Sequence, residues 1–142
     1  RALPPSPARR SSAWCAVRGC YAVGHGAEAP KPLAEGAIAP PLLSQFVMGI
    51  PGGIGAREEH VNYMRSLLPE KASWAVAAVG RFQQPLTEAA MRLGGHARVG
   101  LEDNIYLEKG VLSQGSAPLV KRAADFARSI GRAPVEPKRA RD

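Results

Sequence analysis

His96-Ala97-Arg98-Val99-Gly100-Leu101-Glu102-Asp103-Asn104 is the stretch whose reading decides most about fold and chemistry. Taken as a strand over His96–Glu102, it places Val99 and Leu101 on one face and Arg98, Gly100 and Glu102 on the other, because side chains alternate. The first face suits packing under helices. The second carries a cation and a carboxylate with a glycine between them, which leaves room where a side chain would stand. Two readings follow. In an edge or half-exposed strand, that polar face meets solvent. Inside a barrel, burying those charges is costly unless they are paired or bind a ligand. Asp103 and Asn104 would then follow at the C-terminal end of the strand, where barrel enzymes place their catalytic groups. The glycine and the succession Glu102, Asp103, Asn104 favour a site.

Outward from this stretch the chain alternates apolar runs with helical patterns. Leu42–Ile50 reads as a buried strand, broken by Pro51-Gly52-Gly53-Ile54-Gly55. A helix is expected from about Arg57, with Val61, Met64, Leu67 and Leu68 at helical spacing and Pro69 ending it. Ser73–Gly80 is a second continuous apolar strand. A helix over Pro85–Leu93 follows, with Pro85 in the first turn and Gly94-Gly95 closing its end. Downstream, Ser116 can cap a helix whose Leu119, Val120, Ala123, Phe126, Ala127 and Ile130 form one apolar face, and Gly131 stops it. Strands apolar on both sides, alternating with amphipathic helices, require a parallel sheet covered by helices. This is α/β architecture, either an open doubly wound sheet or an arc of a closed barrel. Residues 1–40, rich in Pro, Ala, Ser and Arg, show no clean period.

The formal net charge of +7 raises nucleic acid as a partner, but its distribution argues against one. Arg1, Arg9, Arg10 and Arg18 lie in the irregular N-terminal stretch, and Lys138, Arg139 and Arg141 lie in the tail. Between them the charges are mixed, and no basic stripe carries interleaved aromatics. No run of ~18 apolar residues points to a membrane span. Cys15 and Cys20 give neither a four-cysteine zinc site nor a disulfide framework, which favours a reducing compartment. The three histidines do not cluster: His60 falls in a helical pattern and reads as a surface residue, His96 opens a strand, and His25 follows Gly24. The Gly52-Gly53-Ile54-Gly55 loop stands between a strand and a helix, where backbone amides can cradle an anion or admit a ligand closely. It lacks the third glycine of a dinucleotide fingerprint, since Glu58 stands there, and the Gly-Lys-Ser/Thr ending of a P-loop. A tight structural turn explains it equally well.

Gln45-Phe46-Val47-Met48-Gly49-Ile50-Pro51-Gly52-Gly53-Ile54-Gly55-Ala56 and Gly94-Gly95-His96-Ala97-Arg98-Val99-Gly100-Leu101-Glu102-Asp103-Asn104 closely resemble two signature segments of the β-keto acid cleavage enzymes. Gly80-Arg81-Phe82-Gln83 and the Gly110–Gly115 stretch also fit. The resemblance covers about residues 24–140 and implies the C-terminal part of a (β/α)8 TIM barrel over 24–142, after a poorly matching stretch over 1–23. It further implies a zinc-assisted acyl transfer in which a β-keto acid and acetyl-CoA give acetoacetate and a new acyl-CoA. Carried over by position, Glu102 would ligate zinc, Asp103 would be the acid at the reacting carbon, and Arg98 would support it. Gly52, Gly53 and Gly55 would contact the co-substrate. Zinc polarising a keto oxygen, a carboxylate moving a proton and a cation stabilising negative charge make a coherent set. A cytoplasmic enzyme, homo-oligomeric at full length, is the corresponding expectation.

Two departures qualify the resemblance. The family's paired histidine ligands belong to the first part of the barrel and have no counterpart here, and a full barrel needs ~250 residues. Tyr21-Ala22-Val23-Gly24-His25 keeps the end of a family segment, but Gly19 and Ala22 stand where acids are expected. A truncated or frame-disrupted reading of a longer gene, inactive alone, accounts for both. The rival expectation is a non-catalytic α/β scaffold or interaction domain derived from the barrel.

Overall fold

The computed structural model describes residues 17–36, 38 and 41–136. Arg1, Arg9, Arg10, Cys15 and the basic tail of Lys138, Arg139 and Arg141 lie outside them, whereas Arg18 falls in the first strand. In chain order the elements are β1 (Val17–Cys20), α1 (Val23–Glu28), α2 (Lys31–Ala34), β2 (Leu43–Met48), α3 (Glu58–Ser66), β3 (Ser73–Ala78), a 3-10 turn (Gly80–Phe82), α4 (Gln83–Arg92), β4 (His96–Arg98), β5 (Tyr106–Glu108), β6 (Val111–Leu112) and α5 (Ser116–Ser129). Strands β1 to β4 form one parallel sheet in sequential order, and β5 and β6 form a separate antiparallel hairpin. A doubly wound sheet reverses its strand order at a switch point. The sequential order here contains no such reversal.

Register explains which side chains meet the helices. Cys20, Phe46, Val76 and Ala97 stand side by side across the four strands. The first three are fully buried and pack with Val61 and Met64 of α3 and Leu86 and Ala90 of α4. Trp74 and Phe46 stack with ring centroids 5.5 Å apart at the centre of this layer. The next row, Val47, Ala77 and Arg98, therefore lies on the face turned away from the helices. One row below on that face are Gly19, Gln45, Ala75 and His96. The face opposite the hydrophobic core is thus partly polar.

Helix α3 ends just before Pro69, and its Val61 and Met64 are fully buried, as their spacing predicts. The Gly94-Gly95 pair closes α4. Gly94 takes φ +88° and donates its N–H to Met91, while the Gly95 N–H reaches the Ala90 carbonyl. Three expectations need correction. First, β1 and the short helices α1 and α2 occupy a stretch with no readable period, because only the Cys20 side chain of β1 is buried. Second, the third predicted strand, His96–Glu102, ends at Arg98, since the chain reverses at Gly100. Third, Ser116 is the first residue of α5 rather than its cap. Gly115 holds the capping position, and the Ser116 hydroxyl is used elsewhere. On α5, Leu119 and Ala127 are buried, but Val120 is 51% exposed and not part of the packed face. None of the helices among the described residues is long and apolar enough to cross a membrane.

Gly95 makes the close approach of α4's end to the sheet possible, because a Cβ there would stand 2.6 Å from the Trp74 ring. Trp74 cannot yield, being stacked on Phe46 and 7% exposed. Gly95→Ala is therefore expected to destabilise the fold by about 1–3 kcal/mol through overpacking. A urea-denaturation midpoint unchanged from the parent would contradict this packing.

Candidate functional site

In a parallel sheet all the loops after the strands leave from one edge, and here that edge gathers the polar groups. The loops are stitched together by backbone hydrogen bonds. Ile54 N–H donates to the Tyr21 carbonyl at 2.7 Å, Val79 N–H to Met48 at 3.1 Å, and Gly80 N–H to Asp103 at 2.6 Å. The segment after β4 is turned on one atom. The Gly100 carbonyl oxygen accepts from the N–H groups of Asp103 (3.3 Å) and Asn104 (3.1 Å) and from Nε2 of Gln83 (3.1 Å). The Leu101 N–H donates to the Ser116 hydroxyl at 3.3 Å, tying the same turn to the start of α5.

This turn brings together the three residues that the sequence singled out after β4. The Arg98 guanidinium donates to the Glu102 carboxylate, and its Nε lies 3.6 Å from Oδ2 of Asp103. In a continuing strand, Glu102 and Asp103 would point to opposite faces. The reversal at Gly100 lets both converge on one cation. Their environments differ sharply, with the Glu102 side chain 80% exposed and that of Asp103 11% exposed. Asp103 Oδ2 is buried and, among the described residues, has no hydrogen-bond partner.

Burial pushes the Asp103 carboxyl above the ordinary aspartate range. The Arg98 charge opposes that shift, and the neighbouring Glu102 adds to it. Arg98 is held above its usual value, first by its hydrogen bond to Glu102, against the effect of burial, and then by the charges of Asp103, Glu102 and Tyr21. A half-buried carboxyl with a raised pKa and an unsatisfied oxygen beside a fixed cation can accept and release a proton nearer neutrality than a solvated aspartate.

The Gly52–Gly55 loop is tightly folded on itself. Gly53 N–H donates to the Ile50 carbonyl at 3.1 Å, Ile54 N–H is taken by Tyr21, and Gly52 adopts φ +78°. Two of its amides are therefore already engaged, which is the tight turn that the sequence allowed. His60 is a half-buried residue at the surface, with its ring Nδ1 2.6 Å from the Gly55 carbonyl. His25 accepts from the Tyr21 N–H at 3.2 Å. His96 opens β4, where partial burial of its ring and then the Arg132 charge lower its pKa. Among the described residues, no three His, Cys, Asp or Glu side chains come together to hold a metal. Glu102 offers one open carboxylate, so these residues alone do not complete a zinc site.

The sequence reading named Ser116 only as a helix cap and Gln83 only within a family-like segment, and missed that their side chains set the turn. A signal for Gln83 was present: a glutamine at helical spacing from Leu86, Thr87 and Ala90 sits on the buried face of α4, where it is 2% exposed and must find a partner.

Acidic groups on a fixed cation, beyond the C-terminal edge of a parallel sheet, are placed as in α/β enzymes. The chain belongs to the β-keto acid cleavage enzyme family, whose model matches residues 16–142. It is 39% identical over 108 residues to the 3-keto-5-aminohexanoate cleavage enzyme of Acetoanaerobium sticklandii, covering 76% of this chain and 40% of that protein. Its identity to the protein of the same name from Fusobacterium nucleatum is 38% over 107 residues, or 75% of this chain and 39% of that one. It is also 32% identical over 127 residues to the 3,5-dioxohexanoate:acetyl-CoA acetone transferase of Paraburkholderia graminis, covering 87% of this chain and 41% of that protein. The chain thus spans about 40% of the length of these curated relatives.

The opposing influences on Asp103 give a signed prediction. Glu102→Gln removes a neighbouring negative charge and should lower the Asp103 pKa, whereas Arg98→Met removes the cation and should raise it further. Carboxyl-carbon NMR titration of the three proteins reads this directly. Shifts in the same direction for both substitutions would contradict the arrangement.

Proposed function

We propose that this chain carries the late-strand part of the active site of a β-keto acid cleavage enzyme, which condenses a β-keto acid with acetyl-CoA to give acetoacetate and a new acyl-CoA. The observation that carries this reading is the convergence of Glu102 and Asp103 on Arg98 beyond the sheet edge. Family membership and relatives named for acetyl-CoA-dependent transfer support it. The sequential parallel order with helices on one face fits an arc of a (β/α)8 barrel, which we take as the architecture of the complete enzyme. A buried free thiol at Cys20 is in keeping with a reducing, cytoplasmic setting. Homo-oligomerisation at full length belongs to the same proposal.

In this scheme Asp103 is the proton-handling group. Its raised pKa suits it to take a proton from carbon next to a carbonyl, and its unsatisfied Oδ2 is the atom that would do so. Arg98 offsets negative charge as it develops and orients both carboxylates through its planar fork. Glu102 is proposed as one ligand of a zinc ion whose other ligands come from outside the described residues. Bound zinc would supply Lewis-acid polarisation of a keto oxygen. The Gly52, Gly53 and Gly55 loop is proposed as a wall against which the thioester co-substrate approaches. Gly52 is its open point, since a Cβ there would meet nothing within 4 Å.

The test uses this chain complemented by the preceding part of the Acetoanaerobium sticklandii relative, with acetyl-CoA-dependent cleavage of 3-keto-5-aminohexanoate and bound zinc as readouts. The chain alone is expected to retain no zinc after dialysis and to show no turnover. In the assembly, Asp103→Asn should lower turnover by ~100-fold or more with zinc retained. Glu102→Gln should lose zinc and activity together, and Arg98→Lys should cost turnover more than metal. Zinc stripped by Asp103→Asn but kept by Glu102→Gln would reverse the assigned roles.

A further inference from the structure

A cavity of about 590 Å³ lies between α4, the β5–β6 hairpin and α5, within the range of small-molecule sites. Val99, Leu107, Leu119 and Ala123 give it apolar walls. Three cations also line it, Arg81, Lys109 and Arg122, and among the described residues none of them forms an ion pair. Arg122 is fixed by donating to the Leu107 carbonyl, and the Arg81 guanidinium lies 4.9 Å from the Phe82 ring centroid. Two carboxylates, Glu88 and Glu108, share the wall, and Glu88 is engaged by Gln84 Nε2 at 2.8 Å.

The cavity adjoins the candidate site. Gly80 and Asn104 line it, and these residues also flank Asp103. Gly80 N–H is bound to the Asp103 carbonyl, and Asn104 is the next residue in the chain. Lys109 stands at the other end of β5, in the hairpin turn. An occupant would therefore run along an apolar trough, with one end at Gly80 and Asn104 and cations along its length. That combination suits an amphiphilic ligand with an uncharged arm and an anionic head.

We infer that this cavity holds the pantetheine arm and phosphates of the acyl-CoA thioester, with the arm against Val99, Leu107, Leu119 and Ala123 and the phosphates drawn to Arg81, Lys109 and Arg122. The inference rests on the acetyl-CoA-dependent reading above and assigns the co-substrate a place within this chain. Every residue of the cavity belongs to the described part of the chain, so binding can be measured without turnover.

The experiment is calorimetric titration of the chain with coenzyme A, with pantetheine and with inorganic pyrophosphate, repeated on Arg81→Ala/Lys109→Ala. Both substituted side chains are exposed, so the fold should be unaffected. Coenzyme A is expected to bind with an affinity that falls as salt is raised and drops about tenfold or more in the double variant. The weaker binding of pantetheine should be unchanged. Coenzyme A affinity that ignores the double substitution overturns the inference. So does pyrophosphate binding as tightly as coenzyme A, which would reduce the cavity to a bare anion site. Absence of coenzyme A binding, both to the chain and to the complemented assembly, overturns it as well. Acetyl-CoA-dependent turnover that persists unchanged in the double variant removes this cavity but leaves the proposed function standing. Coenzyme A binding without turnover does the reverse.

Discussion

The Gly100 carbonyl is the atom on which the candidate site depends. It sits where a strand should continue and instead accepts two backbone N–H groups and the Gln83 amide. A buried carbonyl must be satisfied, and satisfying this one from three directions fixes the reversal. Glu102 and Asp103 then fall on the same side as Arg98, although adjacent residues of a strand would separate them. Its partners come from the loop after β4, through Asp103 and Asn104, and from the start of α4, through Gln83, while the Leu101 N–H bond to Ser116 ties the same turn to the start of α5. The hydrophobic core enters here because it places those helices. Leu86 and Ala90 seat α4 on Phe46 and Val76, and that seating carries Gln83 to Gly100.

The same arrangement separates the two carboxylates chemically. Glu102 is left in solvent, open to a cation, while Asp103 is drawn into a site where burial outweighs the Arg98 charge and raises its pKa. One cation serving two acids in unlike surroundings supports the unlike roles proposed for them. Ser44, beside Arg18 in the sheet, also has a buried hydroxyl without a partner among the described residues, but it lines neither the candidate site nor the cavity.

Much of this was legible in the sequence where local pattern and tertiary packing agree. β2, β3, α3 and α4 carry apolar residues at spacings that match the faces they bury, and Gly94-Gly95 closes α4 as such a pair should. Arg98, Glu102 and Asp103 stood out because charged residues in an apolar alternation demand a reason. What escaped was set by distant partners. The end of β4 depends on Gln83, 17 residues upstream of Gly100, and on Ser116, 15 residues downstream of Leu101. β1 escaped because four residues with a single buried side chain carry no measurable period. The β5–β6 hairpin escaped for a similar reason, since its strands of three and two residues are largely exposed.

The central claim is that the Gly100 turn, rather than direct contact alone, sets the state of Asp103. The direct measurement is the Asp103 carboxyl pKa, by NMR titration, in Gln83→Ala beside the parent protein. Gln83 donates to Gly100 and not to Asp103, so any effect must pass through the turn. Loosening the turn should admit water and relieve the burial that raises this pKa. The account predicts that the Asp103 pKa falls toward the ordinary aspartate value while the chain keeps its fold. An Asp103 pKa unmoved by Gln83→Ala would contradict it.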